Sequence, residues 1–187
     1  MVKIIKRIAT ALLFIVCGMF ILRCCLVADK SIFDDLYATD SLTAAYADGE
    51  LTVQTVDVER EIADDGYFAA YAFCYVPETG EVQVTVRWND SVYDYTGMTP
   101  GHEYSFHLLN EATGETFPLT ALDAKKRVMY SYRKLSASGV NLGETDTLTV
   151  VMELRDGFES KQVIRYGEQP MEEYKLSSGE KKVLKEG

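Results

Sequence analysis

Hydrophobic residues are arranged in two ways along this chain. From Ile8 to Leu22, fifteen uncharged and mostly apolar residues follow one another, with Lys3, Lys6 and Arg7 before them and Arg23 after them. From Glu50 onward, apolar and polar residues alternate with a period of two. The first arrangement predicts a helix in lipid, because a backbone in hydrocarbon must satisfy its own hydrogen bonds. The second predicts half-buried β-strands, whose side chains point alternately to opposite faces.

The apolar stretch sets the expected location. Its uncharged core is short for a full span, which takes about 20 residues. Counting on to Ala28 gives a length of roughly 31 Å at 1.5 Å per residue. Arg23 then lies near the end of the span, where its guanidinium snorkels to the interface. Ile8, Leu12, Leu13, Phe14, Ile15, Val16, Phe20, Ile21 and Leu22 are the expected membrane-spanning residues. Lys3, Lys6 and Arg7 form the cytoplasmic flank, because positive charge is retained on the cytoplasmic side. The expectation is a single-pass signal anchor over residues 1–28, with everything after it extracytoplasmic. A cleaved signal peptide is the alternative, since a basic flank and a short apolar run also fit that description. A lipoprotein signal around Leu22-Arg23-Cys24-Cys25 is weaker, because Arg and Cys stand where small neutral residues are normal.

Residues 29–49 read as a connector with short helical pieces. Ser31 is placed to cap a helix over Ile32–Tyr37, and Thr39 or Asp40 to cap a second over Ser41–Ala47 that stops at Gly49. Residues 50–167 read as one domain of strands: Leu51–Val58, Tyr67–Val76, Glu81–Asn89, Glu103–Glu111, Glu115–Thr120, Arg127–Leu135, Thr147–Leu154 and Phe158–Tyr166. Tyr67–Val76 is apolar on both faces, as a central strand would be. Glu81–Asn89 alternates cleanly, with Val82, Val84, Val86 and Trp88 on one face and Glu81, Gln83, Thr85 and Arg87 on the other. Pro77-Glu78-Thr79-Gly80 between them predicts a hairpin turn. Residues 168–187 read as a polar C-terminal tail that frays or adds one edge strand. Strands joined by turns, with almost no helix between them, predict an all-β protein. An antiparallel immunoglobulin- or fibronectin-like β-sandwich, preceded by one N-terminal transmembrane helix, is the expected architecture.

Charge and cysteine refine this picture. The formal net charge is −10, and residues 29–187 alone carry 15 basic and 29 acidic side chains. A body so acidic is expected to be repelled by nucleic acid and by anionic headgroups or wall polymers. Of four cysteines only Cys74 lies in the exported part, so no intrachain disulfide is available there. That favours a bacterial cell envelope over a eukaryotic ectodomain. Cys74, within an apolar run, is expected in the core.

Candidate chemistry is sparse. His102-Glu103-Tyr104-Ser105-Phe106-His107 superficially suggests zinc, but His102 and His107 would point to opposite faces of a strand, so no metal or cofactor is expected. Asp64-Asp65-Gly66 and Asn89-Asp90…Asp94 are acidic loops without the ligand run of a calcium loop. Tyr71, Tyr75, Tyr93, Tyr95, Tyr130 and Tyr132 invite a ligand surface, which Tyr93, Tyr95, Asp90 and Asp94 would centre. Half-buried strands explain most tyrosines equally well. There is no G-x-S-x-G, P-loop, dinucleotide fingerprint or C-x-x-C. The expectation is therefore a non-enzymatic structural or protein-interaction module with an envelope protein partner. The alternative is a ligand-binding module for carbohydrate, peptide or calcium, released by signal-peptide cleavage.

Overall fold

The apolar run forms helix α1, Val2–Leu26, in a computed structural model that describes residues 2–26, 36–49, 51–56, 68–89, 104–126, 130–143, 146–154, 159–166 and 172–186. The chain divides into two compact units, Met1–Asp34 and Asp35–Gly187. In the first unit α1 contains a 19-residue apolar segment, Lys3–Ile21, long enough to cross a membrane, and none of its hydrophobic window is buried. Phe14 and Phe20 are 73% and 68% exposed, values that soluble helices avoid.

The second unit opens with α2, Asp40–Asp48, capped by Thr39, whose hydroxyl accepts from the Leu42 amide at 3.4 Å. Nine strands follow among the described residues: β1 Val53–Val56, β2 Phe68–Val76, β3 Glu81–Asn89, β4 Tyr104–Asn110, β5 Thr116–Lys126, β6 Tyr130–Ala137, β7 Thr147–Leu154, β8 Glu159–Arg165 and β9 Glu172–Tyr174. Helix α3, Ser178–Glu186, closes the chain. The strands pair antiparallel in the order β8-β7-β4-β5-β6-β3-β2-β1-β9. The protein is thus mostly antiparallel β-sheet with an N-terminal apolar helix.

One strand joins the two parts of this sheet. The first part of β5 pairs with β4 through Thr116 to Leu119, and the rest pairs with β6 from Thr120 to Lys126. A register irregularity between Ala121 and Asp123 marks the change. Such a break bends a strand and re-aims its neighbours. The two halves, β4-β7-β8 and β6-β3-β2-β1-β9, contribute to one shared core. Val82, Val84, Val86 and Leu135 from one half meet Phe106, Leu108, Leu148, Val150 and Met152 from the other. Phe68 meets Phe106 edge-on with ring centroids 5.8 Å apart. Tyr166, just beyond β8, packs edge-on against Tyr75 at 5.7 Å.

The open side of the bend is latched by a side chain. Gln162 of β8 is buried, its amide oxygen accepts from the Ala70 N–H, and its amide nitrogen donates to the Ala70 carbonyl at 3.2 Å. Ala70 lies beside an irregularity in the β2–β3 register between Ala70 and Ala72. That irregularity also explains why β2 reads as apolar on both faces. Phe68 and Ala70 face the shared core, and beyond it the core-facing positions become Phe73 and Tyr75. The hairpin turn at Pro77–Gly80 forms as expected, with Gly80 at φ 61°. The Val140 amide donates to the Gly80 carbonyl at 2.8 Å, and a Cβ at Gly80 would stand 2.8 Å from the Val140 oxygen, so only glycine fits.

Four expectations need correction. β5 runs to Lys126, six residues beyond Thr120, because β6 offers it a partner that its polar sequence does not announce. The polar tail adds an edge strand, β9, as one of its two expected outcomes had it, but it also forms helix α3, which was not expected, because Leu184 and Glu180 find a surface to pack on. Leu36 and Tyr37 are not helical, and the rest of the Ile32–Tyr37 helix lies outside the described residues. The polar face of β3 is not a solvent face: Glu81, Gln83 and Thr85 are 2%, 1% and 0% exposed.

Candidate functional site: a polar seam under the two chain ends

The burial of that polar face creates the most organised polar site among the described residues. Strand alternation puts Glu81 and Gln83 on the side of β3 away from the shared core. The segment before α2 lies over them. Gln83 accepts from the Tyr37 amide at 3.0 Å and donates to the Tyr37 carbonyl at 2.8 Å, so it pairs with that residue as a neighbouring strand would. The Tyr37 hydroxyl donates to Asp123 of β5 at 2.7 Å.

Glu81 is held by four donors. One carboxylate oxygen accepts from the Thr39 and Ser41 hydroxyls, both at 2.6 Å. The other accepts from the Gln83 amide at 2.9 Å and the Ser136 hydroxyl at 3.1 Å. A buried polar group is costly unless its hydrogen bonds are made, and these four partners meet that requirement.

A second carboxylate joins the two ends of the folded unit. Glu180 lies in the first turn of α3, and one of its oxygens accepts from the Leu36 amide at 2.7 Å and the Tyr174 hydroxyl at 2.8 Å. Its other oxygen accepts from the Ser177 amide at 2.6 Å, while the Glu180 amide donates to the Ser177 hydroxyl at 3.3 Å. This reciprocal pair is a capping box, which satisfies two otherwise orphaned donors at a helix start. Burial pushes the Glu180 carboxyl up, but the hydrogen bonds from Ser177, Leu36 and Tyr174 outweigh it and hold the group below its ordinary value.

Around these ties lies a small apolar cluster of Leu36, Leu42, Val53, Cys74, Val76 and Leu184. The segment before α2, α2 and α3 thereby pack against one outer face of the bent sheet, with β9 at its edge. An open groove of about 710 Å³ runs between α2 and α3, lined by Asp40, Thr43, Ala44, Tyr46, Ala47, Leu184 and Lys185.

The residues singled out from sequence fare differently. Asp90, Tyr93, Asp94 and Tyr95 lie outside the described residues, as do Asp64, Asp65, Gly66 and His102. Tyr75 and Tyr132 are buried, so neither belongs to an exposed aromatic surface. The Tyr75 hydroxyl donates to the Val140 carbonyl at 3.3 Å and accepts from the Leu142 amide at 3.4 Å. Tyr166, pushed up to about 12 chiefly by burial and then by Tyr75, keeps its phenol neutral and donates to Gln54. Cys74 is buried, as a small core residue. His107 is half-buried on β4, opposite Pro118 and Val151. No group of three His, Cys, Asp or Glu among the described residues is placed to hold a metal ion.

Glu81, Gln83 and Glu180 were not visible as a site in the sequence. The Ser177-Ser178-Gly179-Glu180 spacing is a legible helix start. What the two carboxylates tie together depends on partners over 40 residues away for Glu81 and 144 away for Glu180. Chemically the seam binds chain to chain, with its acceptor oxygens occupied by donors of the protein itself. The chain matches no protein-family model, no curated protein and no solved structure.

Proposed function

We propose that this protein is a membrane-tethered extracytoplasmic module of a bacterial cell envelope, with its N-terminus in the cytoplasm and a structural or protein-interaction role. The observation that carries the reading is α1, whose Lys3–Ile21 segment is long and apolar enough to cross a membrane and is exposed among the described residues. The flanking Lys3, Lys6 and Arg7 support the orientation. The two half-sheets that share a core support an immunoglobulin- or fibronectin-like description of the body at the level of layers. A non-enzymatic role fits polar side chains that are spent on holding the fold.

Reporter fusions test this directly. A C-terminal alkaline phosphatase fusion is expected to be active in bacteria and a C-terminal cytoplasmic reporter silent. The opposite pattern would overturn the reading. Intact mass of the membrane-extracted protein separates the anchor from the cleaved signal peptide, since the anchor retains residues 1–28.

A further inference from the structure

Charge is unevenly distributed along this chain. Residues 29–174 hold 11 basic and 27 acidic side chains, whereas residues 175–187 hold four lysines and two glutamates. Of those two, Glu180 is buried and bonded, and Glu186 stands 3.8 Å from Lys182. Lys175, Lys181, Lys182 and Lys185 are all exposed. Helix α3 thus offers a basic surface on an otherwise strongly acidic body, because Lys181, Lys182 and Lys185 fall within about 100° of one another around the helix. Chain length also limits how far this helix can lie from the end of α1. Leu36 is the first described residue after α1, ten residues beyond Leu26, and its amide is bonded to Glu180 at 2.7 Å. A link of that length reaches no more than about 35 Å even when fully extended.

We propose that α3 docks on the anionic lipid headgroups of the membrane that α1 enters, with Lys181, Lys182 and Lys185 as contact residues. This rests on the reading of α1 as a membrane span. The acidic remainder, including Asp40 across the groove from Lys185, is repelled by the same surface, so docking would hold the body in one orientation. Each lysine near an anionic bilayer is worth about 1 kcal/mol, or roughly fivefold, and three together about a hundredfold. The tether adds effective concentration, which lets so small a surface engage.

The test uses the full chain in vesicles of phosphatidylcholine alone or mixed with phosphatidylglycerol. Co-flotation is read first, then amide hydrogen exchange over residues 178–186. Slower exchange in the anionic vesicles is expected, lost at high salt and lost when Lys181, Lys182 and Lys185 are all changed to Gln. Protection of β3 and β6 in that variant shows that the sheet is intact. Changing Lys125 and Lys126, also exposed, to Gln is expected to leave the effect in place. Equal exchange in both vesicle types with normal co-flotation overturns the docking alone. Loss of the effect in the Lys125/Lys126 variant also overturns it, by showing a response to overall charge. Protection produced by soluble polyglycerol phosphate but not by anionic vesicles assigns the surface to a wall polymer and likewise overturns it. Absence of co-flotation from both vesicle types removes the span, and the docking with it.

Discussion

The two faces of the half-sheet that contains β2 and β3 are both buried, but by different means. The inner face meets the other half-sheet through Phe68, Phe73, Tyr75, Val82, Val84 and Val86, in a dry and largely aromatic and aliphatic core. The outer face meets the two ends of the folded unit through a few apolar residues and a seam of buried hydrogen bonds around Glu81, Gln83 and Glu180. The inner core is built from long strands whose pattern repeats, so its stability is spread over many contacts. The outer layer depends on a handful of specific ties, each costly to leave half-made. The inner core should therefore set global stability, and the outer layer should open first.

Experiments that break this contrast can be ordered by expected size. Phe73→Ala leaves a cavity in the inner core and should cost about 3–5 kcal/mol of unfolding free energy by denaturant titration. A loss similar to that of a surface change would contradict the assignment of Phe73 to the core. Gln162→Ala orphans both the N–H and the carbonyl of Ala70, and about 2–4 kcal/mol should be lost. Exchange should rise first at Ala70 and along β8, where the bend is latched. Glu180→Gln should cost less, about 1–2 kcal/mol, because it weakens charge-assisted bonds without removing packing. Its signature should be faster exchange over residues 36–49 and 172–186, with the inner strands unchanged. Uniform loss of protection would mean that the two layers are one cooperative unit.

The same carboxylate predicts a pH dependence. Its folded value lies below the ordinary 4.5, so its contribution to stability is present above that value and is lost as pH falls through the folded one. Acid should therefore loosen the attachment of α3 and the connector, and Glu180→Gln should flatten that part of the profile. An unaltered profile in the variant would show that other carboxylates dominate. The smallest effect is expected from Lys161→Gln. Lys161 pairs with Glu159 at 2.8 Å in full contact with solvent, and the melting temperature should not measurably change.

Much of this contrast was legible before the structure, but unevenly. The strands Glu81–Asn89 and Thr147–Leu154 were readable to the residue, because alternation over eight or nine positions has one interpretation. The α2 cap was narrowed locally to Thr39 or Asp40, and the structure places it at Thr39. The second half of β5 was not readable. Asp123, Lys125 and Lys126 look like loop residues until β6 supplies the ladder. Nor could alternation reveal that Glu81 and Gln83 are buried, since a polar side chain facing water and one facing a bonded Tyr37 have the same sequence pattern.

The sequence by itself determined the apolar helix, the antiparallel strand content, the hairpin at Pro77–Gly80 and the acidity of the body. These follow from periodicity, turn chemistry and charge, which act over a few residues at a time. Only the tertiary structure decided that β5 joins two half-sheets, that Gln162 latches the bend at Ala70, and that both chain ends become a second layer. Those features bring together residues up to 144 positions apart. Their energy lies in the pairing of particular side chains, and no local pattern records it.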